Sequence, residues 1–178
     1  MRIFISGGCK NGKSSLAERL AYEQRGLKPL YYIATMRAND AEDEARIARH
    51  RLQRAAYGFI TVEQGEQIAS ILDSCDPGGS FLLDSLTALL AGAMFPLAGA
   101  IDLTAGKTLA DDLERLFDRL QNLVIVSDFI YSDAQHYSDL SECFRHELAG
   151  LDRLAADRCE RVFEVVAGIA ICHKGVGS

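Results

Sequence analysis

The chain has 178 residues, of which 48% are hydrophobic, and a formal net charge of −6 at pH 7. This length suits a single domain, 1–178, with a sizeable core, and the negative charge argues against a nucleic-acid partner, because such binding needs clustered Lys and Arg. The first predicted strand begins at residue 2, and no apolar stretch approaches the roughly 20 residues that cross a bilayer, so we expect a cytoplasmic protein without a signal peptide or membrane span.

The start of the chain predicts a strand, a glycine-rich loop and a helix. After the apolar segment Ile3-Phe4-Ile5, the pattern G-x-x-x-x-G-K-[ST] of a phosphate-binding loop is matched by Gly7-Gly8-Cys9-Lys10-Asn11-Gly12-Lys13-Ser14. The glycines let the backbone form a nest of N–H donors, which holds phosphate oxygens together with the dipole of the following helix. We expect Lys13 to reach the β- and γ-phosphates and the Ser14 hydroxyl to bind Mg²⁺. The loop therefore predicts a nucleoside triphosphate site.

Beyond the loop, β-rich and helical segments alternate along the chain. This alternation predicts an α/β, P-loop NTPase-like fold, with a mostly parallel sheet and helices on both faces. After the first strand, strands are predicted at 30–34, 59–62, 81–84, 123–127 and 162–171. Helices are predicted at 15–26, 40–56, 65–75, 86–95, 107–121 and 138–160. Parallel sheets of this kind bind ligands beyond the carboxyl ends of their strands, so other strand ends should contribute to the site at 7–14.

Two predicted strands end in an acidic residue. Asp84 follows Phe81-Leu82-Leu83, and Asp128 follows the apolar run 123–126 and Ser127. Either carboxylate could be delivered to a metal ion, as a Walker B aspartate is. The alternative for each is a helix cap or a turn residue, because Asp is common just after strands.

The predicted helix at 40–56 carries a histidine between arginines. At about 100° per residue, its alanines and Leu52 form one stripe, while Arg46, His50 and Arg54 lie on the opposite face. One interpretation is a solvated basic surface. The other is that two arginines hold a polyanion against an imidazole that attacks phosphorus and forms a reactive phosphoramidate. The spacing leaves both interpretations open.

Several motifs in order resemble one family, the bifunctional adenosylcobinamide kinase / adenosylcobinamide-phosphate guanylyltransferases of cobalamin biosynthesis. The loop at 7–14 matches the family's G-G-x-R-S-G-K-S, and residues 32–35 match its Y-I-A-T segment. The family's E-x-x-x-R-I-x-x-H-x-x-x-R pattern, its T-x-E pattern and its acidic strand end are matched by Glu42, Arg46, Ile47, His50, Arg54, Thr61, Glu63 and Asp84. The resemblance continues through the last helix and strand, so it covers nearly the whole chain.

The resemblance implies a transferase that acts on a corrinoid. Its members phosphorylate the aminopropanol hydroxyl of adenosylcobinamide with ATP or GTP, take GMP from GTP onto a histidine, and transfer it to the phosphorylated product. By this resemblance His50 and Lys13 are catalytic, and Asp84 is favoured over Asp128 as the partner of Ser14 in holding Mg²⁺. Family members assemble as trimers, so the resemblance also implies a homotrimer.

The resemblance also implies a set of nucleotide-binding residues. Glu63 would suit guanine, because one carboxylate can accept from N1–H and from the exocyclic amine, and its alternative is an ordinary exposed strand residue. The full set comprises Gly7, Gly8, Cys9, Lys10, Asn11, Gly12, Lys13, Ser14, Ser15, Ala34, Thr35, Arg46, Arg51, Arg54, Glu63 and Asp84.

One segment departs from the family's pattern. Where the family has a stretch like T-N-E-V-G-x-G-I-V-P, this chain has Ser127-Asp128-Phe129-Ile130-Tyr131-Ser132-Asp133-Ala134, which lacks the glutamate and both glycines. The resemblance therefore leaves open whether this chain keeps corrinoid binding and both activities. The alternatives are a P-loop kinase of another small molecule without guanylyl transfer, and a degenerate family member that only binds nucleotide.

Overall fold

The computed structural model describes residues 1–36, 48, 52 and 54–175. Most of the predicted helix at 40–56, including Glu42, Arg46, His50 and Arg51, lies outside the described residues.

The described residues form one seven-stranded sheet in the order β3-β2-β4-β5-β1-β6-β7. Each neighbouring pair is parallel except β6 and β7, which are antiparallel. In chain order, the strands β1 to β7 span Arg2–Gly7, Leu30–Ala34, Ile60–Glu63, Ser80–Asp84, Asn122–Val126, Arg161–Val166 and Ile169–Lys174. The predicted mostly parallel α/β sheet is therefore confirmed.

Helices cover both faces of this sheet. In chain order, the helices α1 to α5 span Lys13–Gln24, Ile71–Ser74, Leu86–Met94, Ala105–Arg119 and Asp139–Arg158, and short 3₁₀ turns occupy Ala55–Tyr57 and Ile68–Ser70. α1 packs against β1, β4 and β5 on one face, while α3, α4 and α5 pack on one another on the other face. No helix in the described part of the chain is both long and apolar enough to cross a membrane.

The strand residues alternate between the two helix layers. Ile3 and Ile5 of β1 pack in the core beneath α1, with Ala17 and Ala21, whereas Phe4 points into the opposite core. The central strands are apolar at nearly every position because helices bury both of their faces. This core fixes the carboxyl ends of β1, β4 and β5 side by side, with β5 between the other two.

The predicted final strand at 162–171 is wrong, because it is two strands. β6 and β7 form an antiparallel hairpin whose turn residues, Ala167 and Gly168, have φ angles of 49° and 82°. Two successive positive φ angles match the twist of a two-residue hairpin. The apolar residues on either side masked this turn in the sequence, where Gly168 is its one local signal. The predicted helix at 65–75 is also shorter, since only Ile71–Ser74 is α-helical there.

Candidate nucleotide-binding site

The phosphate loop at residues 7–14 joins β1 to α1 and is shaped by its backbone. Gly7 and Gly12 have φ angles of 149° and 96°, and the non-glycine Lys10 has a φ of 57°. A Cβ on Gly7 would collide with the Val165 carbonyl oxygen of β6, so this position has room only for glycine. The helix begins directly after Gly12, whose carbonyl accepts from the Leu16 N–H at 3.1 Å. The strand, loop and helix expected of a phosphate-binding motif are thus joined in the expected order.

The loop is tied to β6 on one side and is exposed to solvent on the other. The Asn11 side-chain amide donates to the Val165 carbonyl, which ties the loop to β6. Its outer residues are exposed, and these are Gly8, Cys9, Lys10, Gly12 and, at the start of the helix, Ser15. Ser14 is half-buried in the first turn of α1. The open side is therefore the side on which a ligand can approach the loop amides.

The Lys13 side chain is buried against the loop, and only 6% of it is exposed. It donates to the Gly8 carbonyl at 2.6 Å and to Asp128 Oδ1 at 2.9 Å. The Asp128 backbone N–H donates to Thr87 Oγ1 of α3 at 2.9 Å, which holds the end of β5 against the start of that helix. The acidic end of β5 is thus a partner of the phosphate-loop lysine, a contact that the sequence motifs did not identify.

Asp84 ends β4 and is held by a buried tyrosine. Its Oδ2 accepts from the Tyr32 hydroxyl at 3.1 Å. Burial, together with the neighbouring Asp84 carboxylate, raises the pKa of Tyr32, so the phenol stays a neutral donor. Burial also raises the pKa of Glu18 to about 7, and the charge of Asp84 adds to this shift while Arg54 opposes it. Asp84 therefore lies beside a buried polar cluster of Glu18, Tyr32 and Arg54, in which the Tyr32 hydroxyl is its hydrogen-bond donor.

Arg54 is buried, contrary to the interpretation of its helix face as a solvated basic surface. Its guanidinium lies 3.4 Å from the centre of the Tyr32 ring, and the residue is 5% exposed. On the opposite stripe, the described residues Leu52 and Ala48 are exposed, Leu52 to 78%. Arg54 is stabilised in this buried position because a desolvated cation over an aromatic face is favourable. Arg46, His50 and Arg51 lie outside the described residues.

Thr35 and Glu63 occupy different parts of the carboxyl edge of the sheet. The buried Thr35 hydroxyl donates to the Ser85 carbonyl at 2.9 Å and accepts from the Ser85 N–H at 2.8 Å, which ties the residue after β2 to the start of α3. Ala34 of β2 is in register with both Asp84 and Glu63. Glu63 is exposed on the edge strand β3, with β2, β4 and β5 between it and β1. At about 4.8 Å per strand, Glu63 lies about 19 Å from the phosphate-loop strand.

The oxygen ligands available fit a magnesium ion that is bound together with a nucleotide. Among the described residues, no group of three or more His, Cys, Asp or Glu side chains could hold a metal ion alone. Mg²⁺ commonly uses one or two protein oxygens and completes its shell with phosphate and water. The Ser14 hydroxyl, at the start of α1, and the Asp84 carboxylate, at the end of β4, are oxygen ligands of this hard type, and α1 packs against β4.

The segment at 127–134 is organised by side chains from α5. The Arg145 guanidinium, which is largely buried, donates to the Ile130 carbonyl at 3.1 Å and to Asp133 at 2.7 Å. The Tyr131 hydroxyl donates to the buried Asp152 at 2.9 Å. Burial raises the pKa of Asp152 to about 6, an effect that the Tyr131 hydrogen bond opposes. The segment that departs from the family's pattern is thus held by polar contacts with α5, although most of its residues are exposed.

These observations define the class of the protein. A loop carrying Lys13 and Ser14 between a strand and a helix, at the carboxyl edge of a mostly parallel sheet, identifies a P-loop nucleotide-binding fold. Among solved structures, one described as an ATPase domain is similar over 98% of this chain and 76% of that chain, with a TM-score of 0.56 and 11% sequence identity. At this level of identity the similarity supports the fold alone.

The model of the family described as cobinamide kinase / cobinamide phosphate guanyltransferase matches residues 3–172, and the chain belongs to that family. The bifunctional adenosylcobalamin biosynthesis protein CobP of Pseudomonas aeruginosa is 36% identical, and the similarity covers 98% of both chains. The bifunctional adenosylcobalamin biosynthesis protein CobU of Salmonella typhimurium is 25% identical over 96% of this chain and 98% of its own length. The resemblance that the motifs indicated is confirmed.

Proposed function

We propose that this protein is a single-domain transferase that phosphorylates the aminopropanol hydroxyl of adenosylcobinamide and then transfers GMP from GTP to the phosphorylated product. The observation that carries this proposal is the phosphate loop, with Lys13 buried beneath it and bonded to Gly8 and Asp128. Membership of the cobinamide kinase / cobinamide phosphate guanyltransferase family supports the choice of substrate.

In the phosphoryl-transfer step, the protein positions the triphosphate and stabilises its charge. The amides of the loop and the Lys13 ammonium hold the β- and γ-phosphate oxygens, which carry the developing charge. Ser14 and Asp84 would hold Mg²⁺, and this ion would supply further neutralisation of the phosphate charge. The Tyr32 hydroxyl donates a hydrogen bond of 3.1 Å to Asp84 Oδ2, and this bond restrains the orientation of the carboxylate.

In the guanylyl-transfer step, His50 attacks the α-phosphorus of GTP. The N–P bond forms as the bond to pyrophosphate breaks, and the phosphate of the phosphorylated corrinoid then takes GMP from the imidazole. Arg46, Arg51 and Arg54 steady the phosphates, because guanidinium groups bind phosphate through paired donors. The burial of Arg54 over Tyr32, beside Asp84, supports a helix whose basic side is turned to the sheet.

The remaining features of the proposal concern the nucleotide and the assembly. ATP or GTP donates the phosphoryl group, and Glu63 binds a guanine at the β3 end of the sheet. The protein acts in the cytoplasm as a homotrimer, as the family resemblance implies.

A labelling experiment tests the guanylyl-transfer step. We expect GTP labelled at the α-phosphate to leave an acid-labile, base-stable label on the protein. The label should vanish in His50→Ala and persist in His146→Ala, a matched change at an exposed histidine of α5. A wild-type protein that takes no label, yet phosphorylates adenosylcobinamide, would support a kinase without guanylyl transfer.

Product analysis tests the whole proposal. Wild-type protein with adenosylcobinamide and ATP or GTP should give adenosylcobinamide phosphate, and then adenosylcobinamide-GDP when GTP is present. Lys13→Ala should give neither product, whereas Lys107→Ala, at an exposed lysine of α4, should give both. Absence of both products from the wild-type protein, with GDP still bound, would indicate a nucleotide-binding protein without this chemistry.

A further inference from the structure

The position of Asp128 in the sheet gives it access to the reacting end of a triphosphate. β5 lies between β1, which carries the phosphate loop, and β4, which ends in Asp84. Asp128 lies two residues after the end of β5, at the carboxyl edge of the sheet, and its side chain is 32% exposed. The backbone bond to Thr87 fixes the start of its side chain.

The contact with Lys13 locates this carboxylate more closely. Asp128 Oδ1 is 2.9 Å from the Lys13 Nζ, the group that in a phosphate loop reaches the β- and γ-phosphates. A carboxylate so near that ammonium lies next to the γ-phosphate when a triphosphate is bound. Two anions repel at this distance, so Asp128 is unsuited to binding the phosphate itself. A hydroxyl group between them can bond to the carboxylate while its oxygen faces phosphorus.

We propose that Asp128 is a catalytic residue of the kinase step and accepts the proton of the acceptor hydroxyl. The hydroxyl oxygen forms a bond to the γ-phosphorus as the bond from this phosphorus to the β–γ bridging oxygen breaks. The proton passes to Asp128, and the electron pair of the broken bond stays on the nucleoside diphosphate. Lys13 leaves Asp128 for the phosphates when the nucleotide binds. This inference rests on the proposed kinase function.

The proposed role of Asp128 is specific to this chain, because its sequence differs here from the family's pattern. The family segment T-N-E is replaced here by Ser127-Asp128-Phe129, so the glutamate of the pattern is absent and an aspartate stands one position earlier. Phe129 beside it is exposed and packs edge-on against Tyr131, with ring centres 4.8 Å apart. An exposed aromatic residue thus follows Asp128 directly in the chain.

The variant Asp128→Asn tests this role, because it keeps the shape of the side chain and removes the proton acceptor. We expect the kcat for phosphorylation of adenosylcobinamide to fall about 100-fold or more, the usual effect of losing a general base. Guanylyl transfer to supplied adenosylcobinamide phosphate should stay within about threefold of wild type, because its attacking phosphate is already ionised. GDP should bind as tightly as before or more tightly, since the anion facing Lys13 is gone. Asp111→Asn, the same change at an exposed site of α4, serves as control.

The pH profile gives a readout that a structural role would not change. A general base gives the kcat of the kinase step an acidic limb, and this limb should be present in the wild-type protein and absent from Asp128→Asn. An unchanged kinase kcat with tighter GDP binding would overturn the proposal and leave Asp128 as the resting partner of Lys13. Equal losses in both reactions and in GDP binding would also overturn it. Wild-type protein that forms no adenosylcobinamide phosphate would instead remove the proposed kinase function on which the inference rests.

Discussion

The phosphate loop at 7–14 and the segment at 127–134 follow neighbouring strands, but they are held in shape by different means. Backbone conformation shapes the phosphate loop, where Gly7 and Gly12 have positive φ angles and a close approach to β6 excludes a Cβ at Gly7. Side chains of α5 hold the second segment through Arg145 and Asp152. A backbone-determined site leaves a local motif in the sequence, whereas a side-chain-determined one depends on residues distant along the chain. The two regions should therefore respond to different substitutions.

The largest effect is expected from Gly7→Ala in the phosphate loop. The added Cβ meets the Val165 carbonyl oxygen, and the φ of 149° is unfavourable for alanine, so either β6 or the loop must move. We expect the free energy of unfolding to fall by about 3 kcal/mol and GDP affinity to fall at least about tenfold. Denaturant unfolding and titration calorimetry would measure these two quantities.

Two other glycines serve as controls for Gly7→Ala. Gly12→Ala has the strain of a positive φ, but its Cβ would meet the Gly168 Cα only at an ordinary contact distance of 4.0 Å, so it should cost only about 1 kcal/mol. Gly150→Ala lies inside α5 and should stabilise the protein by about 0.5–1 kcal/mol. Equal costs at Gly7 and Gly12 would contradict the argument that the contact with β6 determines the loop.

Arg145→Met should disrupt the second region and spare the first. The variant keeps much of the side chain's bulk but loses its bonds to Ile130, Asp133 and Glu142. Because both carboxylate partners are about half exposed, solvent screening reduces the cost, and we expect a loss of about 2 kcal/mol in unfolding free energy. Amide exchange should speed up in 127–137, while GDP affinity stays within about twofold.

Arg115→Met, at an exposed arginine of α4, is the matched control for that change. It should leave both amide exchange and unfolding free energy near the wild-type values. A loss of GDP affinity in Arg145→Met comparable with that in Gly7→Ala would show that the two regions are not independent.

The contrast between the regions explains how much the sequence could predict. The phosphate loop, the parallel sheet and the family were predicted correctly, because each depends on local motifs and periodicity. The Lys13–Asp128 pair joins residues far apart in the chain, so no spacing rule could identify it, although both acidic strand ends were noted. The inward direction of Arg54 depends on the Tyr32 ring, which the helical pattern does not contain. The hairpin turn at Ala167-Gly168 was hidden among apolar residues.

The site assignments at Arg46, His50 and Arg51 lie outside the described residues, and they stay predictions together with the other nucleotide contacts. Thr35 shows that a residue in a matched motif does not necessarily contact a ligand. Its hydroxyl is fully used by the Ser85 backbone, so the match to Y-I-A-T reflects the joining of β2 to α3 as much as a ligand.

A smaller effect should appear as a pH dependence of stability in the second region. Burial raises the pKa of Asp152 in the folded state to about 6, above the ordinary value of 3.8, and the nearby Asp128 charge adds to the shift. The folded protein thus holds a proton that the unfolded chain has released, so stability falls as pH rises from about 4 to 6. Asp152→Asn should remove up to about 2 kcal/mol of this fall. Denaturant unfolding at pH 4.5 and pH 7 would measure it, and a wild-type profile unchanged in the variant would contradict the assignment.

The smallest effect, from Tyr131→Phe, tests whether one hydrogen bond links the segment to α5. At pH 7 the Tyr131 hydroxyl donates to an ionised Asp152, and its loss leaves a buried carboxylate with one fewer donor. We expect a cost of about 1.5 kcal/mol at pH 7 and a smaller one at pH 4.5, where Asp152 is protonated and supplies its own donor. The phenylalanine ring keeps the contact with Phe129, so the packing of the two rings is the same in the variant. A cost equal at both pH values would mean that the hydroxyl stabilises the segment independently of the charge of Asp152.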